Sequence, residues 1–360
     1  MRASYMEIDL NAFQYNIEQI KRYVGNDIKL IPVIKANAYG TYINKQIECI
    51  KEFEIVAVAI AEEGKILREL GYKNDILILN QPDICDLDCI IKNNLTVGIS
   101  NFNFLKGVVK RNLQIKVHLE VETGMGRTGI FLEELDKYIS EILLCKNIKV
   151  EGIYTHFSVA DVDDVYTNLQ IEKFEKAVEK AELYFGKLKY IHSSASNGIL
   201  NFKNAKFNSV RPGIIMYGYQ SFEGAYSKLD LKPVAQLKSK INFVKKLKKG
   251  ESVSYGRKFI ADRNITVATV PLGYADGIRR ALSTKGEVVI KGQKVKIIGT
   301  ICMDSFMIDV SNIINIDVGE EVYVWDNEII TLDEVAKKCD TINYEILSTI
   351  SERVPRKFIS

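Results

Sequence analysis

Lys35 closes an apolar run, Ile28 to Ile34, and small or turn-forming residues come directly after it: Ala36, Asn37, Ala38 and Gly40, with Tyr39 among them. A strand ending in lysine presents its amine at the C-terminal edge, where β/α folds build their sites. Desolvated there, an amine can act as a nucleophile or hold a carbonyl compound. The ordinary alternative is a lysine that simply ends a strand at the surface. Arg127 stands among three glycines in VHLEVETGMGRTG (117–129), directly after another apolar run. Glycines there let the backbone approach a ligand, and the guanidinium fork suits a carboxylate. His156 ends a further run in Thr155-His156-Phe157. Ser196 lies in the hydroxyl-rich HSSASN (192–197), where a hydroxyl and turn amides can take phosphate. Arg211 precedes the stiff turn Pro212-Gly213-Ile214, which offers the Gly213 and Ile214 amides. Tyr255 lies in VSYG (253–256). Each has a plain structural reading too; for Tyr255 it is a core tyrosine in a chain with 18 of them.

The elements that must position these groups alternate. Met6 to Leu10 reads as a short strand and residues 11 to 24 as a helix capped by Asn11. After the lysine strand come a helix over 43–53, the run Ile55 to Ile60, and a helix opened by Glu62 and Glu63 and closed at Gly71. Asp75 to Leu79, Leu95 to Ile99, Ile115 to Val121, Gly152 to His156 and Leu188 to His192 repeat the short apolar pattern. Helical periodicity fills 131–144 and 168–183. Strands spaced by helices over more than 200 residues mean parallel β/α architecture, and about eight of them favour a closed (β/α)8 TIM-like barrel. After about residue 225 the texture changes to β-branched runs between glycine turns: Ile265 to Val270, Glu287 to Ile290, Lys294 to Ile298 and Glu321 to Trp325. That predicts a C-terminal mostly-β domain, with late helices over 331–338 and 343–350. The expected domains are therefore 1–225 and 226–360, with residues 1–9 free to pack against the second.

Composition narrows the function classes. Apolar residues make up 47% and charged residues 26% of the chain, with a net charge of +3, an ordinary globular mix. Basic residues are scattered, so no nucleic-acid footprint shows. No run of 18 uncharged apolar residues appears, so no membrane segment is expected, and acidic residues close to the N-terminus argue against a signal peptide. The six cysteines lack paired metal spacing and the chain has three histidines, so no metal site is expected. Reduced cysteines in a cytoplasmic enzyme are the simplest account.

The stretches VIKANAYG, the glycine-arginine segment, THF, HSSASN, RPGI, VSYG, GYADG (273–277), ICMDS (301–305), NYE (343–345) and ISERVPR (350–356) fall in one order. Together they resemble the bacterial alanine racemases, pyridoxal-phosphate-dependent enzymes of cell-wall D-alanine supply. The resemblance implies a homodimer with shared active sites. It assigns Lys35 as cofactor lysine and one catalytic base, and Tyr255 of the partner subunit as the other. Tyr39, His156, Ser196, Arg211, Gly213, Ile214 and Tyr344 would surround the cofactor, with Arg211 at its ring nitrogen. Arg127, Tyr274 and the Met303 amide would meet the substrate, and Asp304 would support them. Glu120 stands where many members carry a carbamylated lysine; we expect it to pair with Arg127. Ala195 replaces a usual asparagine, Tyr42 a histidine and Thr300 an arginine.

The resemblance leaves alternatives open. A serine racemase of a glycopeptide-resistance system differs only in pocket polarity, and retention of the Tyr344 phenol argues for alanine. A pyridoxal-phosphate decarboxylase of the same fold type would need a roomier pocket, and VSYG and ICMD point away from it. A non-catalytic cofactor-binding protein would leave the second domain unexplained.

Overall fold

The first strand, β1 (Tyr5–Asp9), precedes eight short parallel ones: β2 (Lys29–Leu30), β3 (Ile55–Val58), β4 (Asp75–Ile78), β5 (Thr96–Ile99), β6 (Ile115–Glu120), β7 (Ile148–Tyr154), β8 (Tyr190–His192) and β9 (Ser209–Val210). The computed structural model describes residues 3–220 and 228–360. Strands β3 to β8 pair in sequence order, and β2 pairs with β9. Two joints close the ring. Ala57 donates to the Pro32 carbonyl at 2.8 Å while the Ile34 N–H reaches Ala57 O at 2.9 Å, and the Arg211 N–H reaches Ser194 O at 2.9 Å. The result is a closed eight-stranded β/α barrel. Its strands read as unbroken apolar runs because helices cover their outer faces; all four residues of β3 are buried.

Two compact units divide the chain: Phe13–Ala38 with Ile43–Lys232, and Met1–Ala12 with Tyr39–Tyr42 and Pro233–Ser360. The boundary expected at 225/226 lies outside the described residues. In the second unit the runs after 225 form β10 (Ala235–Lys240), β11 (Phe243–Leu247), β12 (Ser252–Val253), β13 (Phe259–Ile260), β14 (Ile265–Val270), β15 (Glu287–Ile290), β16 (Gln293–Ile298), β17 (Phe306–Asp309), β18 (Glu321–Trp325) and β19 (Arg356–Ile359). Nine of its strands make one sheet in the order β11-β14-β17-β16-β15-β18-β10-β1-β19. The N-terminal strand is threaded between late ones, with Met6 opposite both Leu237 and Arg356. Buried Met6, Ile8, Phe306 and Val322 alternate with more exposed neighbours along this sheet, the pattern of a sheet with one wet face.

Three local expectations need correction. The first helix, Leu10–Val24, is capped by Asp9, whose Oδ1 accepts the Ala12 N–H at 2.9 Å, rather than by Asn11; a carboxylate placed just before the helix is the better acceptor for an N-terminal amide. The run 28–34 gives only a two-residue strand plus a bridge at Val33, because Pro32 has no N–H for a ladder. The helix expected over 43–53 ends at Ile50. No helix among the described residues is long and apolar enough to cross a membrane.

Candidate active site

Within the barrel unit, Lys35, Arg127, His156, Ser196 and Arg211 all lie just beyond strands β2, β6, β7, β8 and β9, at one end of the barrel. Arg211 is the hub. Its Nη1 donates to His192 O at 2.7 Å and to His192 Nδ1 at 2.8 Å. Its Nη2 donates to Thr155 O at 2.8 Å, Ser193 O at 3.0 Å and His156 Nδ1 at 3.3 Å. The guanidinium carbon also stands 5.5 Å from the Tyr154 ring centre. Buried at 2% exposure, it keeps only Nε without an acceptor among the described residues. Burial pushes its pKa down to about 10, so it stays a cation at neutral pH.

All three histidines of the chain join this network. Arginine can only donate, so His192 must accept at Nδ1 and carry its proton on Nε2. That proton goes to His118 Nδ1, 2.9 Å away, which places the His118 proton on Nε2, a buried atom with no partner in the described structure. Burial first, then the Arg211 charge, lowers His118 and His156 to about 3 and His192 well below the ordinary range. Three neutral imidazoles therefore surround one cation. Gly152 makes the room: a Cβ there would lie 2.7 Å from Tyr190 O and 2.8 Å from His118 Nδ1. Sequence reading singled out His156 and missed the other two. The signal was the scarcity of histidine, with His118 and His192 each on an apolar strand.

Lys35 is half-buried, and its amine pKa is lowered by burial first and then by Arg127 and Arg211. The next four residues make no ordinary loop. Ala36, Asn37, Ala38 and Tyr39 all have φ between 51° and 55°, a left-handed turn without glycine. Asn37 Oδ1 closes it by accepting the Ile43 N–H at 3.0 Å.

The expected Glu120–Arg127 pair is not formed. Glu120 is buried at 3% exposure and accepts the Thr128 hydroxyl at 2.8 Å, while its second oxygen has no hydrogen-bond partner among the described residues. The loop returns along β6, with the Ile130 N–H on Glu120 O at 2.7 Å, and this turns Thr128 inward and leaves Arg127 exposed. Burial raises the Glu120 pKa against the pull of Thr128 and Arg127. Glu122 braces the loop by accepting the Gly124 and Gly126 amides. Gln170, from helix Asp164–Phe185, ties it to the histidine segment through Thr123 Oγ1 at 3.2 Å and His156 O at 3.3 Å. Ser196 Oγ accepts the Gly213 N–H at 3.1 Å, leaving its own proton to donate. Ile214 opens a 3-10 turn, where an N–H has no carbonyl within the turn. A hydroxyl proton and a helix-start amide thus meet at one place, donors that fit a phosphate.

In the other unit, Tyr39 and Tyr344 pack with ring centres 6.1 Å apart, and burial raises the Tyr39 pKa. Arg356 stacks at 4.3 Å on Tyr42 and donates to Gly40 O at 2.9 Å, so Tyr42 serves as a platform for the arginine of VPR. Tyr255 is 71% exposed. Ser254 before it has φ 65° and donates to Thr300 O at 2.5 Å, while Thr300 Oγ1 donates to Tyr255 O at 2.9 Å. That is the consequence of Thr300, which the sequence left open. GYADG and ICMDS are one structure: the Tyr274 N–H reaches Cys302 O at 3.1 Å and the Ala275 N–H reaches Met303 O at 3.0 Å. Only glycine fits at 273, where a Cβ would lie 2.2 Å from Met303 O. Arg353 donates to Asp304 at 2.7 Å and pairs with buried Asp276 at 3.5 Å, holding the loop. Tyr274 and Met303 are exposed at 44% and 52%.

Similarity to known proteins shows the same two-part division. Residues 8–221 match the family model "Alanine racemase, N-terminal domain" and residues 234–358 the model "Alanine racemase, C-terminal domain". The alanine racemase of Halothermothrix orenii is 37% identical over 367 aligned positions, covering 99% of this chain and 97% of that protein. The solved alanine racemase of Clostridium difficile 630 superposes with a TM-score of 0.93 at 33% identity, covering 100% of this chain and 96% of that one. The Bacillus anthracis alanine racemase, solved with bound L-Ala-P, gives 0.94 at 31% identity, with 100% and 96% coverage. The chain belongs to the alanine racemase family.

Proposed function

We propose that the chain interconverts L- and D-alanine with pyridoxal 5'-phosphate, as a homodimer in which Tyr255 of the partner subunit completes each site. The observation that carries this is the Arg211 hub. A permanent cation with both Nη atoms consumed and Nε left over suits a ring nitrogen that must stay unprotonated. Ser196, Gly213 and Ile214, with Tyr344, would hold the phosphate, Tyr39 and His156 would line the ring's surroundings, and Lys35 would hold the carbonyl carbon. Bound there, the cofactor supplies the electron sink that acidifies the amino acid's α-proton.

This chain's own residues do the rest. Arg127 and the Met303 N–H, which has no acceptor among the described residues, receive the substrate carboxylate. Tyr255 Oη of the partner subunit takes the α-proton of L-alanine, and Lys35 Nζ, its pKa depressed, delivers one to the opposite face. Two bases on opposite faces are the minimum for inversion without turning the substrate over. Tyr274 would gate entry, and Glu120 and Asp304 would support the two carboxylate-binding loops. Exposure of Tyr255, Tyr274 and Met303 together supports a face made for a second subunit. All six cysteines are free, which favours a cytoplasmic setting.

Steady-state racemisation cannot separate the two bases, because the equilibrium constant of one ties both directions together. Solvent-deuterium exchange of each enantiomer's α-proton can. In Y255F, exchange into L-alanine should fall far more than exchange into D-alanine, which Lys35 alone sustains. Equal losses would remove Tyr255 from the role. L-serine assayed in parallel checks the substrate; faster turnover of serine would overturn the alanine assignment.

A further inference from the structure

Glu63 lies outside every role assigned above, yet its carboxylate reaches the peptide just after Lys35. Oε1 accepts the Ala36 N–H at 2.6 Å, while Oε2 accepts the Ala59 N–H at 2.7 Å and the Ile60 N–H at 3.4 Å. One oxygen therefore caps the start of helix Ala61–Glu69, and the other crosses from β3 to the end of β2. The crossing bond is made where the backbone most needs one. Four successive non-glycine residues, Ala36 to Tyr39, sit in the left-handed region, where an L side chain's Cβ crowds the following carbonyl. Ala36 is itself exposed, so burial does not hold it.

We propose that Glu63 is a positioning residue for Lys35: its carboxylate latches the Ala36 amide and so fixes where the lysine Cα, and hence its amine, stands at the barrel mouth. The inference rests on Lys35 being the cofactor lysine. A charge-assisted bond of this length is roughly twice as strong as a neutral one, and it anchors the turn to a helix rather than to the two-residue strand before it. Among the described residues, the same carboxylate is the one negative group of the charges that act on Lys35; the others are Arg127 and Arg211, and His156 faces it as a neutral imidazole.

Glu63→Gln separates the two jobs. Glutamine serves as well as glutamate in a helix capping box, and its single oxygen will sit where two N–H groups converge, at Ala59 and Ile60. Its NH2 then faces the Ala36 N–H, donor against donor. In the holoenzyme dimer, amide exchange at Ala36 should quicken at least ten-fold in E63Q while Ala59 keeps its protection, and kcat should fall with little change in KM. Ala36 exchange that is unchanged overturns the latch. The unmodified holoenzyme gives a check that needs no variant: an exposed Ala36 amide that exchanges freely also overturns it. Borohydride reduction and then peptide mass spectrometry read the underlying assignment separately. A pyridoxyl group on Lys35 keeps that assignment, whatever Ala36 does; its absence from Lys35 overturns both.

Discussion

Lowering the pH from 7 to 5 should strip the barrel of much of its stability through the histidines around Arg211. His118 and His156 are held near 3 and His192 well below its ordinary range, chiefly by burial and by the Arg211 charge. In the unfolded chain each returns to about 6.5. Between those values the unfolded state binds a proton that the folded state refuses, so stability is complete above the unfolded pKa and is lost as the pH falls below it. From pH 7 to pH 5 each imidazole costs about 2 kcal/mol by that linkage, so three cost about 6 kcal/mol. Typical domains have only about 5–15 kcal/mol to lose. Glu120, whose carboxyl pKa is raised by burial, acts in the opposite direction, but a single proton cannot cancel three. Urea unfolding of the cofactor-free protein, monitored by circular dichroism at constant ionic strength, measures the loss. His118→Asn keeps an acceptor for His192 Nε2 and should reduce the loss by about a third, since one titrating group of three is gone. Nitrogen-15 imidazole spectra, with three histidines to assign, read the states directly. All three should remain neutral at pH 5, with the proton of His118 and of His192 on Nε2. An imidazolium signal in the folded protein at that pH, or a stability change below that of one proton, would refute the reasoning.

Contacts in the site give two more expected outcomes. Gly152→Ala would drive a Cβ to 2.8 Å from His118 Nδ1 and 2.7 Å from the Tyr190 carbonyl; overpacking of that kind costs about 1–3 kcal/mol. Thermal unfolding should show the loss, together with a changed His118 imidazole signal, and a variant as stable as the parent with that signal in place would contradict the crowded contact. Glu120→Gln retains an acceptor for the Thr128 hydroxyl and should leave KM for alanine within about twofold, whereas Glu120→Ala removes a bond worth about 1.5–3 kcal/mol and should raise KM about tenfold or more. Equal effects from the two substitutions would mean that the charge on Glu120, rather than its bond to Thr128, steadies the Arg127 loop.

The amino-acid sequence by itself determined the alternation of strand and helix, the change of texture into the β domain, and the places where Lys35, Arg127, His156, Ser196 and Arg211 leave their strands. Those features are local: hydrophobic period, glycine and proline punctuation, and the position of a polar residue at the end of an apolar run. It also carried the order of motifs by which the family is recognised. Tertiary structure alone decided who touches whom. His118 and His192 are 74 residues apart and look like isolated polar residues on apolar strands, yet parallel pairing of β6, β7 and β8 sets them 2.9 Å apart. Glu63 reads as a helix-opening glutamate, and only the pairing of the β2 run with β3 shows that its second oxygen serves the lysine's own backbone. The Glu120–Arg127 pair, reasonable from spacing, fails because the loop returns along β6 and turns Thr128 inward instead. Charge and residue type are written in the chain; the direction a side chain faces depends on strand neighbours that the local pattern does not name.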